Sequence, residues 1–485
     1  MTRAFDSFRN RLTGPLLLED LRAGLIGEGI AFDTIFGQQK LLYADYTASG
    51  RALVQVEDFL RDEVLPWYAN THTEASLCGM VSGRLREGAR AVIARLTGAG
   101  EDCDVVFAGS GATAGLNRIV QGLDLAGRVR LGQRVVVISG PYEHHSNILP
   151  WRESGAEVVV IGEAADGGPD LPALEEALAQ ASGADLVIGS FSAASNVTGI
   201  LTDTDLVTRR LRAAGALSVW DYAAAAPYIP VDMGRGDAAK DAIVFSAHKF
   251  PGGPGASGVL ILRHGLAWRQ TPAQPGGGTV RFVSPWRHDY SRSIVDREEA
   301  GTPNIPGDIR AALCLLVKEA IGQERITARE TALREAAIAA WSGHERIELL
   351  GQVPGAGALP IFSFRIRDGK GGYIHHQLFA RLLSDHDGIQ VRSGCACAGP
   401  YAHRLLQLDQ AASERLVARL DAGHEMEKPG WVRLNFSYLH SDADVQRILE
   451  AVARLADAAP ELSRHYMVDE THARFRAEPD RACAG

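Results

Sequence analysis

The chain has 485 residues, 46% of them apolar and 22% charged, with a formal net charge of -9. That length exceeds one simple core, suits two or three domains, and goes with an ordinary soluble composition. No run of Lys or Arg occurs and no apolar stretch reaches bilayer length, so neither nucleic acid nor a membrane is an expected partner.

The N-terminus turns polar within a few residues and lacks a signal-peptide core. Six cysteines are too few for a disulfide framework in a chain this long, so a reducing, cytoplasmic setting is expected. Residues 1–40 mix short apolar clusters with glycine and proline and read as an N-terminal arm with one or two helices. A short strand over 41–45 ends in polar residues. Residues 54–65 have helical spacing, which the polar stretch Tyr68-Ala69-Asn70-Thr71-His72-Thr73 breaks.

From about residue 86 strand and helix alternate. A helix over 87–96 precedes a strand at 105–107, and a glycine-rich turn opens a helix reaching about 123. Strands follow at 134–138, 157–161, 185–189, 217–220, 242–245 and 259–262, with helices over 171–181 and 204–214. This rhythm predicts a doubly wound α/β layer. Residues 265–308 are rich in glycine and proline and read as irregular. Helical spacing over 309–322 and 328–341 begins a smaller α+β region. It continues with a strand at 359–366, a helix at 373–384, strands at 388–392 and 431–436, and a helix at 443–458. The charged tail after Ser463 is expected to be poorly ordered. The expected domains are thus an arm at 1–40, a large domain at 41–308, a small domain at 309–463 and a tail at 464–485.

Polar residues fall where strands end. His144, Asn196, Asp221 and Lys249 each follow the carboxyl end of a separate apolar strand, the edge at which open α/β sheets bind ligands. Lys249 lies in Ser246-Ala247-His248-Lys249-Phe250-Pro251-Gly252-Gly253. Long exposed lysines are common. A lysine fixed at a strand end beside glycines is different, because partial burial lowers an amine's pKa and only the neutral amine attacks a carbonyl. The chemistry this suggests is a Schiff base with an aldehyde, most often pyridoxal phosphate.

The surrounding residues have ordinary and chemical readings side by side. Asp221 either caps a turn or pairs with a protonated pyridine nitrogen. His144 is either a core histidine or a ring that stacks on a cofactor and shuttles a proton. Ser246 and His248 bracket the lysine with donors that suit a phosphate group. Gly109-Ser110-Gly111-Ala112-Thr113-Ala114-Gly115 opens a helix whose first amides lack internal partners and attract an anion. Its glycine spacing also resembles a dinucleotide-binding loop. Arg392-Ser393-Gly394-Cys395-Ala396-Cys397 follows a strand in the second region. A Cys-x-Cys pair needs a second Cys/His pair to hold zinc, and none has ligand spacing, so no metal is expected. The glycines and proline of this loop mark mobile surface, which favours a reactive thiol over inert packing. Arg433 lies within an apolar strand, where a fixed guanidinium suits bidentate capture of a carboxylate and an exposed edge position is the alternative.

Together these residues resemble the class V aminotransferases, pyridoxal phosphate (PLP) enzymes of fold type I, nearest the cysteine desulfurase and selenocysteine lyase branch. The similarity covers roughly 40–460. It implies a large domain with a mainly parallel, seven-stranded, doubly wound sheet and a smaller α+β C-terminal domain. Ser246-Ala247-His248-Lys249 resembles the family's Ser-x-His-Lys, with Lys249 bonded to the cofactor. Glu143-His144-His145-Ser146-Asn147 with Pro150-Trp151 resembles the stretch whose first His stacks on the ring. Asn196 falls where the family contacts the cofactor's phenolic oxygen, and Ala112-Thr113 where it binds phosphate. Glu299-Ala300-Gly301-Thr302 resembles a loop that crosses to a partner subunit, where Thr302 would complete the phosphate site of a homodimer. Cys397 matches the thiol that accepts sulfur, Arg433 the arginine that binds the substrate carboxylate. Arg392 and His72 complete the expected substrate contacts.

Departures place the chain in a divergent branch. Ala224 stands where the family usually has Gln, and Ala193 where it usually has His. An insertion over 401–430 separates the Cys loop from Arg433, and two cysteines in that loop are unusual. The resemblance implies removal of sulfur or selenium from a cysteine-type amino acid through a Cys397 persulfide, with a sulfur-acceptor protein as a partner. The rival readings are a PLP-dependent aminotransferase, epimerase or C–S lyase, a nicotinamide-binding protein built on the 109–115 loop, and a non-catalytic sulfur carrier.

Overall fold

A computed structural model describes residues 3–71 and 73–478. They pack as two compact units. The first takes the chain up to Gly24, Ser49–Ala194 and Leu201–Arg325. The second takes Leu25–Ala48, Ser195–Ile200 and the chain from Ile326 onward.

The first unit is built on a seven-stranded sheet. Its strands are β1 (Cys103–Phe107), β2 (Val135–Ser139), β3 (Glu157–Val160), β4 (Leu186–Ser192), β5 (Leu217–Asp221), β6 (Ala242–Ser246) and β7 (Gly258–Arg263). Their order across the sheet is β1-β7-β6-β5-β4-β2-β3. All neighbours run parallel except those of β7, which is antiparallel to both β1 and β6. Every residue of β2 and β6 is buried, as the near-continuous Val/Ile/Phe content requires of strands covered on both faces. At the edge, β3 leaves Glu157 and Val160 exposed. This is the mainly parallel α/β sheet expected from the alternating pattern.

Three helices matter for the site. Helix α1 (Leu77–Leu96) begins ten residues before the expected start at Glu87, because the Ser76 hydroxyl caps it by accepting from Gly79 N at 3.1 Å. Helix α2 (Ala112–Gly122) follows β1 through the glycine turn. Helix α3 (Ile305–Ile321) is capped by Asn304, carries Pro306 in its first turn and stops at Gly322, whose φ is +89°. The segment read as irregular contains a hairpin, Val280–Val283 with His288–Tyr290.

The second unit holds a sheet of β8 (Ile347–Leu349), β9 (Ile361–Arg367), β10 (Arg392–Gly394) and β11 (Trp431–Asn435) in the order β8-β9-β11-β10, with Tyr373–Ile374 on β9. The single strand expected over 388–392 divides. Ile389–Gln390 pairs in parallel with Leu42–Tyr43, and after Val391 the chain joins β11 as β10. Trp341, Phe362, Phe364 and Phe436 form the aromatic centre of this unit's core. Each such side chain contributes about 2–3 kcal/mol by leaving water. The 401–430 insertion is largely helical, with Gly399–Leu405 and Gln410–Asp421. The tail departs from its expected disorder as far as residue 478, and 479–485 lie outside the described residues. Tyr466–Asp469 pairs with Arg474–Ala477, and Tyr466 and Phe475 pack on the aromatic core, which repays the ordering. Among the described residues no helix is long and apolar enough to cross a membrane.

Candidate active site

In the first unit the chemistry gathers at the carboxyl ends of β2, β5 and β6. After β6 the chain makes a tight turn, Ala247–Lys249, and buries Phe250. The turn leans on the backbone at Gly50, whose N–H donates to His248 O at 2.8 Å. A Cβ on Gly50 would lie 1.8 Å from Phe250 O, so only glycine permits this approach. The lysine is thereby set on a rigid strand end rather than on a free loop.

Asp221 ends the neighbouring strand, in register with Val244 of β6, and is 4% exposed. Its Oδ1 accepts from Ala223 N at 2.7 Å. Burial pushes its pKa up, opposed by that hydrogen bond and by the charge of Lys249. Ala193 and Ala224, two of the departures from the resembled pattern, are buried. Ala193 N donates to Asp221 O at 2.9 Å.

His144 follows β2. Its Nδ1 accepts from Ser146 N at 3.1 Å, which places the ring proton on Nε2. The Ser146 hydroxyl lies 2.7 Å from Thr113 Oγ1 at the start of α2. The α2 N-terminus has Gly111 as its cap residue and therefore no capping side chain. Ala112 N donates instead to Ser246 Oγ at 2.9 Å. Gly111, at φ +75°, is held so close that a Cβ there would sit 2.7 Å from Ser246 Oγ and 3.1 Å from His248 Cε1. Ala112, Thr113, Ser246 and His248 thus converge on one helix N-terminus, a set of amides and hydroxyls that suits an anion. Burial, aided by the Lys249 charge, pushes His248 down to about 4, so its imidazole is neutral at pH 7.

Thr302 lies on an exposed loop. Its hydroxyl is 3.5 Å from Asn70 Nδ2, and no hydrogen bond joins it to the α2 terminus among the described residues. The root of that loop is fixed by Glu299, which accepts from Arg90 Nη1 at 2.9 Å and Phe107 N at 2.7 Å and also pairs with Arg86. His72 lies outside the described residues.

The second unit gathers the other expected groups. Arg392 of β10 and Arg433 of β11 are directly opposite in the ladder. Asp45, just past Leu42–Tyr43, bridges them. Its Oδ1 accepts from Arg433 Nη2 at 3.1 Å and its Oδ2 from Arg392 Nε at 3.0 Å. Arg433 is interior, 4% exposed, and also donates to Asn196 O at 3.1 Å. Burial lowers its pKa against the pull of Asp45. Two guanidinium groups against one carboxylate leave one formal positive charge for a ligand. Asn196 Nδ2 donates to Ala396 O at 2.8 Å, and its buried Oδ1 has no partner. Cys397 is exposed and Cys395 half-buried, and both thiols are free. Among the described residues no third His, Cys, Asp or Glu joins them in a metal-binding cluster.

Sequence reasoning assigned no role to Asp45 or to Glu143. Asp45 was visible only as the polar end of a short strand. Glu143 is 4% exposed and accepts from Ser192 N at 2.9 Å, from Ser192 Oγ at 2.7 Å, and from Asn147 Nδ2. It ties the His144 turn to the end of β4. Burial, partly offset by these hydrogen bonds, pushes its pKa up to about 7. A carboxyl raised in this way binds its proton more tightly folded than unfolded. Its contribution is fully present below the ordinary carboxyl pKa of about 4.5 and is lost as pH rises through about 7. Urea unfolding from pH 5 to 8 is therefore expected to show a falling stability in the wild type and a flatter profile in Glu143→Gln. An equally steep fall in the variant would assign the dependence to another group.

Comparison with known proteins bears on these constellations. Residues 42–448 match the family model described as aminotransferase class-V. A probable cysteine desulfurase of Vibrio cholerae is 29% identical over 432 residues, covering 88% of this chain and 96% of that protein. One from Staphylococcus aureus is 30% identical over 366 residues, covering 75% and 84%. The solved apo structure of a cysteine desulfurase from Thermococcus onnurineus NA1 is similar at a TM-score of 0.71 and 25% identity, covering 86% of this chain and 95% of that one.

Proposed function

The chain belongs to the class-V aminotransferase family, and from that premise we propose that it removes sulfur or selenium from a cysteine-type amino acid, using PLP at Lys249 and Cys397 as the acceptor. The observation that carries this reading is the placement of Lys249 and Asp221 at the ends of adjacent, in-register strands beside a side-chain-free helix N-terminus.

The residues fit the cofactor. Thr113, Ser246, neutral His248 and the first amides of α2 form a phosphate cradle in which Gly111 leaves no room for a side chain. Asp221 is a buried carboxylate whose proton affinity a cationic ring nitrogen would bring down. When bound, PLP supplies an aldehyde for the lysine amine and a ring that withdraws electrons from the substrate's α-carbon.

The chain's own groups do the remaining work. Arg433 and Arg392, spaced by Asp45, hold the substrate carboxylate. The Lys249 amine takes the α-proton. His144 carries its proton on Nε2, the atom from which it donates. The Cys397 thiolate attacks the substrate's sulfur; a new S–S bond forms as the Cβ–S bond breaks, and protonation of the carbon releases alanine. The free state of the five described cysteines suits the cytoplasmic setting proposed here. We extend the reading to a homodimer in which Thr302, exposed on its anchored loop, completes the partner's phosphate cradle, and to a protein that accepts the sulfur.

The test is Cys397→Ala. The variant is expected to keep the visible absorbance of bound PLP and to lose alanine formation from cysteine by about 10³-fold or more. Retained alanine would remove Cys397 from the reaction. Pyruvate and ammonia as products would assign C–S lysis, and dependence on an oxo acid would assign transamination.

A further inference from the structure

We propose that Cys395 is a second sulfur-carrying thiol, which takes the sulfane sulfur from Cys397 before it leaves the protein. This rests on the desulfurase reading above.

The backbone of the loop points to it. Residues 395–398 form a turn closed by Ala398 N donating to Cys395 O at 3.1 Å. Its two central residues, Ala396 and Cys397, both have φ +53°. Two successive left-handed residues are the signature of turns that select glycine or asparagine, and neither is present. Each such residue costs about 1–2 kcal/mol and persists only where its surroundings over-determine it. The restraints are identifiable. Asn196 Nδ2 clamps Ala396 O at 2.8 Å, and Ala398 is buried at the start of the helix Gly399–Leu405.

The consequence is a defined relation between the thiols. Cys395 and Cys397 occupy the first and third positions of one four-residue turn. Their Cα atoms are separated by two peptide units, and a left-handed bend shortens that span to about 5–6 Å, within the range two sulfurs bridge. Their exposure differs, Cys397 being open to solvent and Cys395 half-buried. The more exposed thiol suits attack on a substrate, the less exposed one brief storage of the sulfur.

The chemistry balances without an oxidant. The Cys395 thiolate, its proton given to solvent, attacks the terminal sulfur of the Cys397 persulfide. A bond forms from Cys395 Sγ to that sulfur, and the bond from that sulfur to Cys397 Sγ breaks. Cys397 leaves as a thiolate, ready for the next substrate, while the sulfane sulfur waits on Cys395. One S–S bond is exchanged for another and no net oxidation occurs.

The experiment has two readouts. First, resting protein is treated with phenylarsine oxide, which holds firmly only to paired thiols, and its intact mass is measured. Wild type is expected to retain one arsenical per chain, and Cys395→Ser and Cys397→Ser none. This readout needs neither cofactor nor turnover. Second, the holoenzyme is given one equivalent of cysteine and the sulfane sulfur is mapped by peptide mass. It is expected on Cys395 in wild type. In Cys395→Ser it is expected to stay on Cys397, with release to a dithiol acceptor slowed roughly tenfold. No arsenical capture by wild type overturns the relay, as does alanine formation that leaves all sulfur on Cys397. Wild type that makes no alanine from cysteine or selenocysteine overturns the desulfurase reading, and the relay with it.

Discussion

Lys249→Ala is expected to abolish both the visible colour and the turnover of the purified protein, the latter by about 10⁴-fold or more. In the proposed reaction one amine has two functions, as the covalent tether for the aldehyde and as the base for the α-proton. Alanine supplies neither. The fold should survive, because Lys249 is half-buried on a turn whose anchors are elsewhere, at Gly50 and Phe250. Thermal unfolding of the cofactor-free proteins should therefore be nearly unchanged. Borohydride should fix PLP to wild type and not to the variant. Lys249→Arg separates charge from chemistry, since a guanidinium keeps the cation and cannot act as the nucleophile. A coloured, active Lys249→Ala protein would end the PLP assignment at this residue.

The second large effect concerns Asp45. Its carboxylate lies between Arg392 and Arg433, and Arg433 is interior. Asp45→Ala leaves a buried guanidinium without its counter-ion. Uncompensated buried charge costs about 3–5 kcal/mol, more than the pair contributes when intact, because the desolvation of Arg433 is no longer offset. A lower urea midpoint with an unchanged slope is the expected result. Adding Arg433→Leu should recover part of the loss, since the double variant removes the stranded charge, and the two single effects should not add. Asp45→Ala that unfolds like wild type would mean that water reaches Arg433. The half-exposed Arg392 partner contributes little to this ledger, being screened by solvent.

The arrangement at Asp45 bears on the substrate. One carboxylate against two guanidinium groups leaves a single excess positive charge, which matches the one α-carboxylate of a cysteine-type amino acid. Asp45 also fixes the pair's geometry by bonding a different nitrogen position on each side chain. It acts as a positioning residue within the proposed reaction.

Much of the large sheet was legible in the sequence. Runs such as Val135-Val136-Val137-Ile138 and Ala242-Ile243-Val244-Phe245 are buried strands because nothing in them can face water, and the alternation with helices leaves one architecture. Helix ends were read less well. The start of α1 depends on the Ser76 hydroxyl reaching Gly79 N, an interaction that leaves no apolar periodicity behind. The ordered hairpin at 466–477 was missed because its charged composition concealed two residues, Tyr466 and Phe475, that find a core formed far away in the chain.

The candidate site divides along the same line. Lys249, Asp221 and His144 could be picked from the sequence as candidates because Asp221 ends an apolar strand and the other two follow one within a few residues, a local pattern. Ionic partnership is not local. Asp45, Arg392 and Arg433 come from three separate segments, and only folding decides that one carboxylate serves two guanidinium groups. The same holds for Ala396 and Cys397, whose left-handed backbone is imposed by the amide of Asn196 two hundred positions earlier. Side-chain type and strand position thus point to the chemistry proposed for the chain. Long-range packing settled which charges are shared and how the thiols are presented, because those energies depend on distances that no stretch of sequence encodes by itself.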